Sequence, residues 1–132
     1  MNKSELEERL INFAVLIVDI VNEMPNTKAG NHLSGQLIRS GTSPALNYGE
    51  AQGGESIKDF IHKIKIVLKE LRESFICLKI IFKTNLYIHE DKIRKALKEN
   101  NELISIFVKS SETAQKNKKN QDSKIPACGW QG

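Results

Sequence analysis

The sequence is short of the residues that signal most other architectures. Only 6 % of its 132 residues are aromatic, and segments that alternate apolar with polar residues are few, so strands have little to build on. Val and Ile are plentiful but recur at helical spacing. The two cysteines, Cys77 and Cys128, make neither a CxxC pair nor a disulfide framework. No signal or transit segment is evident, so a reducing cytoplasm is the expected compartment. Asn12 and Asp19 interrupt the most apolar stretch, which falls far short of the roughly 20 residues of a membrane span. His32, His62 and His89 are isolated, and the paired ExxH ligands of a di-iron bundle are missing. Gly53–Gly54 follows a helical pattern rather than a strand, which excludes a phosphate-binding loop. No nucleophile has a base beside it. Glu70 and Glu73 lie close together, but an ion-pair role outweighs acid–base catalysis for them. These absences argue against a metal, a cofactor and an enzyme.

What is present is helical periodicity in four segments of one domain. In residues 4–24, Leu6, Leu10, Phe13, Ile17, Ile20 and Met24 form a seam, and Ser4 with Glu7 reads as its cap. Ile11, Val15, Leu16 and Val18 are apolar as well. A helix that is apolar nearly all round is buried on more than one side, so this second face is the expected subunit contact. Pro25 ends the helix. The second starts between Thr27 and His32, with Thr27 and Asn31 both suitable caps. Pro44 either kinks it near Ser40 or lets Ser43 cap a new helix, and the kink fits the unbroken phase better. The third is the clearest. Ile57, Ile61, Ile64, Leu68, Leu71, Phe75, Leu78 and Phe82 hold one seam, with Ser56 and Asp59 as a capping box. The fourth is expected from about Glu90 to Gln115. Fold class follows as all-α, an antiparallel up-down-up-down four-helix bundle over residues 1–115. Residues 116–132 are polar, basic and rich in breakers, and read as a disordered tail with Trp130 near its end. Four lysines and one aspartate there carry three of the chain's four net positive charges, so the body is nearly neutral.

The second helix carries an unusual stripe. Gln36, Ser40, Ser43, Asn47 and Glu50 share one helical seam, beside Gly35, Gly41, Ala45 and Gly49, which allow close backbone approach. The spacing predicts a buried, hydrogen-bonded polar row; its alternative is a stripe that faces water. Counting outward from Gly53–Gly54 sets Arg39 level with Glu70, Ser43 with Ile64 or Lys65, and Asn47 with Phe60 or Ile61. Arg39 and Glu70, with Glu73 a turn further on, then read equally as an interhelical ion pair or as independent surface charges.

The run of Gln36, Leu37, Arg39, Ser40, Ser43, Asn47, Glu50, Ser56, Asp59, Phe60, Lys69, Glu70 and Glu73 in order resembles the bacterial 23S rRNA intervening-sequence proteins. The resemblance covers roughly residues 8–112, and Pro44 departs from its pattern. It implies a four-helix bundle that assembles into homopentamers. It also implies likeness of shape to the nucleic-acid-binding accessory proteins of diversity-generating retroelements. It brings no defined activity.

Function is left to surface charge. Lys58, His62, Lys65, Lys69, Arg72, Lys79 and Lys83 lie on one flank of the third helix. Such a line binds phosphates, or in a lone monomer is simply a solvated face. Two functions follow. One is a homo-oligomeric module that binds RNA or DNA, as structured RNA or an RNA–DNA intermediate. The other is a scaffolding bundle that takes a protein partner on its apolar face.

Overall fold

The computed structural model describes residues 1–53 and 56–124. Four helices follow in order: α1 (Lys3–Asn22), α2 (Lys28–Gln52), α3 (Ile57–Lys83) and α4 (Glu90–Lys124). There is no strand among the described residues. Each helix packs on the next, and α1 closes the bundle against α4. Glu23 near the end of α1 meets Lys92 at the start of α4, while Arg9 meets Glu99 and Glu102 further along it. The two helices therefore run in opposite directions, as the short connections require.

Local chemistry sets the ends. Asn2 caps α1, its Oδ1 accepting the Glu5 N–H at 2.8 Å. This replaces the expected Ser4 cap, since Asn serves as well and lies one residue before the first helical position. Thr27 caps α2 through the Gly30 N–H at 3.0 Å, which settles the open start. A Cβ at Gly30 would fall 2.1 Å from the Pro25 carbonyl oxygen, so this connection needs glycine there. Ser56 caps α3 through Asp59 N–H, as expected. Past Thr84 at its other end, Asn85 takes a left-handed φ of 54°. The Leu86 N–H returns to the Ile81 carbonyl and the Asn85 N–H to that of Phe82. This is a Schellman turn with Asn in the place of glycine.

Pro44 does not split α2, which runs through it with Pro44 itself buried, so the alternative of a new helix capped by Ser43 falls away. Two expectations need correction. The fourth helix does not stop at Gln115 but continues to Lys124, so residues 116–124 are helix rather than disordered tail. The breakers Pro126 and Gly129 come later. Residues 125–132, with Cys128 and Trp130, lie outside the described residues, as does Gly54. The α2/α3 register also slips by about a turn. Ser40 meets Ser74, and Glu50 pairs with Lys63. Cβ atoms lean toward the N-terminus of each helix, so antiparallel side chains meet further along both chains than their backbone levels suggest.

Leu10, Phe13, Ile17 and Ile20 of α1, Leu37 of α2, Ile64, Leu71, Leu78 and Ile81 of α3, and Ile93, Leu103 and Phe107 of α4 fill the core. α1 and α2 approach closely at Gly41, where a Cβ would lie 2.7 Å from Ile17 Cγ2. Gly35 and Gly49 have open space or ordinary contact instead, so of these glycines Gly41 alone serves close approach. Asn100 is fully buried. In the orientation that satisfies its amide, Nδ2 donates to the Leu71 carbonyl at 2.9 Å and Oδ1 accepts the Phe75 N–H at 3.1 Å. It therefore clamps α4 to the backbone of α3. No helix of the described residues is long and apolar enough to cross a membrane.

Candidate nucleic-acid interface

The inward face of α3 determines what its outer face shows. Ile61, Ile64, Val67, Leu68, Leu71, Ser74, Cys77, Leu78 and Ile81 are buried. At 3.6 residues per turn the opposite face must point to solvent. There Lys58, His62, Lys65, Lys69, Arg72, Lys79 and Lys83 are all exposed, along a line of about 38 Å from first to last at 1.5 Å per residue. Among the described residues none of them forms an ion pair. Lys79 Nζ instead lies 5.5 Å from the centre of the Phe75 ring.

The line is not uniform. Ile76, 57 % exposed, and Ile80, 44 % exposed, interrupt it between Arg72 and Lys83, on either side of Lys79. They belong to a groove of about 790 Å³ along α2 and α3, lined by His32, Leu33, Gln36 and Ser40 from α2 and by Lys65, Leu68, Lys69, Arg72, Glu73, Ile76, Cys77 and Ile80 from α3, with Ser111 from α4. The groove thus has apolar walls and a cationic border. A second cleft, of about 330 Å³, lies between α3 and the end of α4 and is lined by Lys58, Ile61, His62, Lys65, Gln115 and Lys118. Sequence reasoning missed Lys118. The signal was available: Ser111 and Ala114 continue the packing face, and the next position on it is Lys118.

The polar row of α2 does not run buried through the chain. Ser40 is buried, Gln36, Ser43 and Asn47 are half-buried, and Arg39 and Glu50 are exposed. The helix buries Leu37, Gly41, Pro44, Tyr48 and Ala51 instead, a stripe turned by one residue, about 100°. Only Ser40 belongs to both. Its Oγ lies 3.0 Å from that of Ser74, which also lies 3.0 Å from the Glu70 carbonyl oxygen. Of the remaining polar groups, Glu50 pairs with Lys63 of α3, and Asn47, Ser43 and Gln36 find partners within α2. Asn47 Nδ2 donates to the Ser43 carbonyl at 3.0 Å and to its Oγ at 2.8 Å. Arg39 Nη2 donates to Gln36 Oε1 at 2.8 Å, and no Arg39–Glu70 ion pair forms. Glu70 is half-buried with Oε2 unpartnered, whereas Glu73 is exposed. Burial, then the charge of Glu73, raises the Glu70 carboxyl above its ordinary range. Burial likewise pushes the Cys77 thiol up to about 11, so it stays protonated at neutral pH.

The expected subunit face divides in two. Ile11, Val15 and Val18 are exposed and line a shallow pocket of about 310 Å³ with Ala14, Asp19, Thr42, Ala45 and Leu46. Leu16 does not join them. It is half-buried against the core and lies in the α1/α4 groove beside Phe13, Lys95 and Glu99. One residue along a helix turns the side chain by about 100°, and that takes Leu16 off the face. Leu46, 68 % exposed, takes its place. A polar cluster that the sequence left unread joins α1 to the α3/α4 connection. Glu23 accepts from the Tyr87 hydroxyl at 2.5 Å and from Lys92 Nζ at 3.0 Å, with His89 Nε2 at 3.4 Å. Among the described residues no group of three or more His, Cys, Asp or Glu side chains is placed to hold a metal ion.

Comparison with known proteins agrees with this architecture. A crystal structure of a protein of unknown function from the S23 ribosomal protein family of Bacteroides thetaiotaomicron VPI-5482 matches with a TM-score of 0.74 and 28 % sequence identity, covering 80 % of this chain and 97 % of that one. No curated protein matches. The model of the 23S rRNA-intervening sequence protein family matches residues 2–109, and the chain belongs to that family.

Proposed function

We propose that the protein is a homo-oligomeric, non-enzymatic module of the cytoplasm that binds nucleic acid, as structured RNA or an RNA–DNA intermediate, along the outer face of α3. The observation that carries this reading is the row of exposed cations, Lys58, Lys65, Lys69, Arg72, Lys79 and Lys83, without acidic partners among the described residues. Lys65 with Lys69, Lys69 with Arg72, and Lys79 with Lys83 are like charges at helical spacings of three or four. Each such pair costs about 0.2–0.5 kcal/mol. A phosphate backbone relieves that repulsion and releases counterions. Recognition is electrostatic and blind to sequence, because no aromatic side chain lies in the row for stacking.

Titration of the full-length protein with labelled RNA and DNA over a range of salt tests this. Affinity is expected to fall steeply with salt for both. Absence of binding at low salt refutes the reading.

A second reading, a scaffold for a protein partner, is favoured by one observation: the exposed apolar group of Ile11, Val15, Val18 and Leu46. In the first reading the same group is the contact between copies, and the family resemblance supports five of them. Val15→Glu is then expected to dissociate the assembly in light scattering. A wild-type chain that is monomeric at micromolar concentration removes the oligomer and leaves the apolar face to a partner.

A further inference from the structure

We propose that the cleft between the first half of α3 and the C-terminal extension of α4 binds the phosphodiester backbone of a single nucleic-acid strand, with Lys118 as its second cationic wall. The inference rests on the nucleic-acid reading above and locates its strongest phosphate contact. A cationic row on a convex helix touches a strand along one line. Lys118 changes that geometry. It stands on the inward face of α4, half-buried, opposite Lys58, His62 and Lys65. Cations on both walls of a concave site focus the field more strongly than the same charges on an open surface. The cleft, about 330 Å³, admits the backbone of one strand and excludes a folded helix. Gln115 adds an amide donor at its edge.

Asp122 is the acid that tempers this site. It accepts from Lys118 Nζ at 2.7 Å, one turn along α4. A phosphate that enters the cleft competes with it for the ammonium. The family match ends at residue 109, so the wall formed by Lys118 lies beyond the part of the chain that the family model describes.

The test uses fluorescence anisotropy of the full-length protein with a labelled single-stranded RNA and a duplex of the same sequence, at several salt concentrations. Three variants are compared: Lys118→Ala, Asp122→Asn and Glu112→Gln. The last makes the same change of charge as Asp122→Asn on an exposed part of α4 outside the cleft. Lys118→Ala is expected to weaken single-strand binding on the order of 5-fold and to lower the salt slope by about 0.7, the value for one phosphate contact on a single strand. Asp122→Asn is expected to tighten it, Glu112→Gln to leave it unchanged, and the duplex to respond less to both cleft variants. Wild-type affinity and slope in Lys118→Ala overturn the cleft, as does equal tightening by Asp122→Asn and Glu112→Gln. Binding that is weakened by a further variant outside the cleft, Arg72→Glu, but not by Lys118→Ala overturns the cleft alone. Absence of all binding by the wild type overturns both proposals.

Discussion

Arg9 and Arg72 carry the same guanidinium and meet opposite surroundings. Arg9, on α1, sits in a fork. Its Nε donates to Glu99 Oε2 at 2.9 Å, and its Nη2 reaches Glu99 Oε1 at 2.6 Å and Glu102 Oε1 at 3.0 Å. The hydrogen bonds to Glu99 raise its already high pKa further. Arg72, on α3, is exposed and has no acidic partner among the described residues. The same division holds for the elements around them. Along α4 and its seam with α1, Lys92 pairs with Glu23 and Arg94 with Glu90. On the outer face of α3, Lys65 and Lys69 stand with Arg72 unpaired. Neutrality of the bundle as a whole conceals this segregation. Placement of the acids, rather than the number of bases, decides which surface keeps a field for a ligand.

The harshest way to break the contrast is to put an unpartnered charge inside a seam. Asn100→Asp does so. The neutral amide now satisfies the Leu71 carbonyl and the Phe75 N–H; a carboxylate would face that carbonyl with no donor to give it. Loss of about 3–5 kcal/mol is expected, the scale for an uncompensated buried charge. Urea denaturation measures it. A shift below about 1 kcal/mol would mean that the site is wetter than the full burial of Asn100 implies.

Charge reversal on the outer face is expected to do the opposite. Lys65→Glu with Arg72→Glu changes only exposed side chains, so stability should stay within about 0.5 kcal/mol per substitution. Affinity for nucleic acid should fall by about 100-fold or more near 0.1 M salt. If unfolding and binding suffer together, α3 has no separate binding face, and the comparison with Arg9 loses its meaning.

The legibility of each region follows the same division. The span of α3 was readable because its seam, its Ser56 cap and the absence of breakers all agree, and the four-helix architecture follows from seams of that kind. The cationic row was readable because it is the complement of that seam. The polar row of α2 was readable as a stripe but not as to its burial. Two stripes one residue apart compete there, and small residues such as Gly41 decide between them by letting Ile17 come close. Leu16 misled for a related reason, since hydropathy does not tell which of two grooves a side chain enters. Lys118 was hidden by composition: a polar, basic segment resembles a disordered tail even where its helical phase continues.

The next effect is smaller and tests the paired side of the contrast. Arg9→Ala removes a partly exposed fork, so the expected loss is about 1 kcal/mol, at the upper end for such pairs. Lys69→Ala on the outer face should change stability little or raise it, because it relieves repulsion from Lys65 and Arg72. Thermal melts of the two variants side by side give the difference. Equal losses would show that pairing contributes nothing here.

The smallest effect lies at Glu23 and appears only against pH. The hydrogen bond from Tyr87, then that from Lys92, holds this carboxyl below its ordinary 4.5. A carboxyl lowered in the folded state contributes stability that is complete above the unfolded value and disappears as pH falls through the folded one. Glu23→Gln removes the titration but keeps a side chain of similar size. The wild type should therefore melt higher than Glu23→Gln near pH 6, and the two curves should draw together as pH falls from there through the lowered folded-state value, below which Glu23 is protonated in both states. Parallel curves across that range would mean that the carboxyl is not stabilised by its neighbours in solution. The bond between Tyr87 and Glu23 would then be a neutral contact. The paired chemistry of the seam would be confined to Arg9 and its two glutamates.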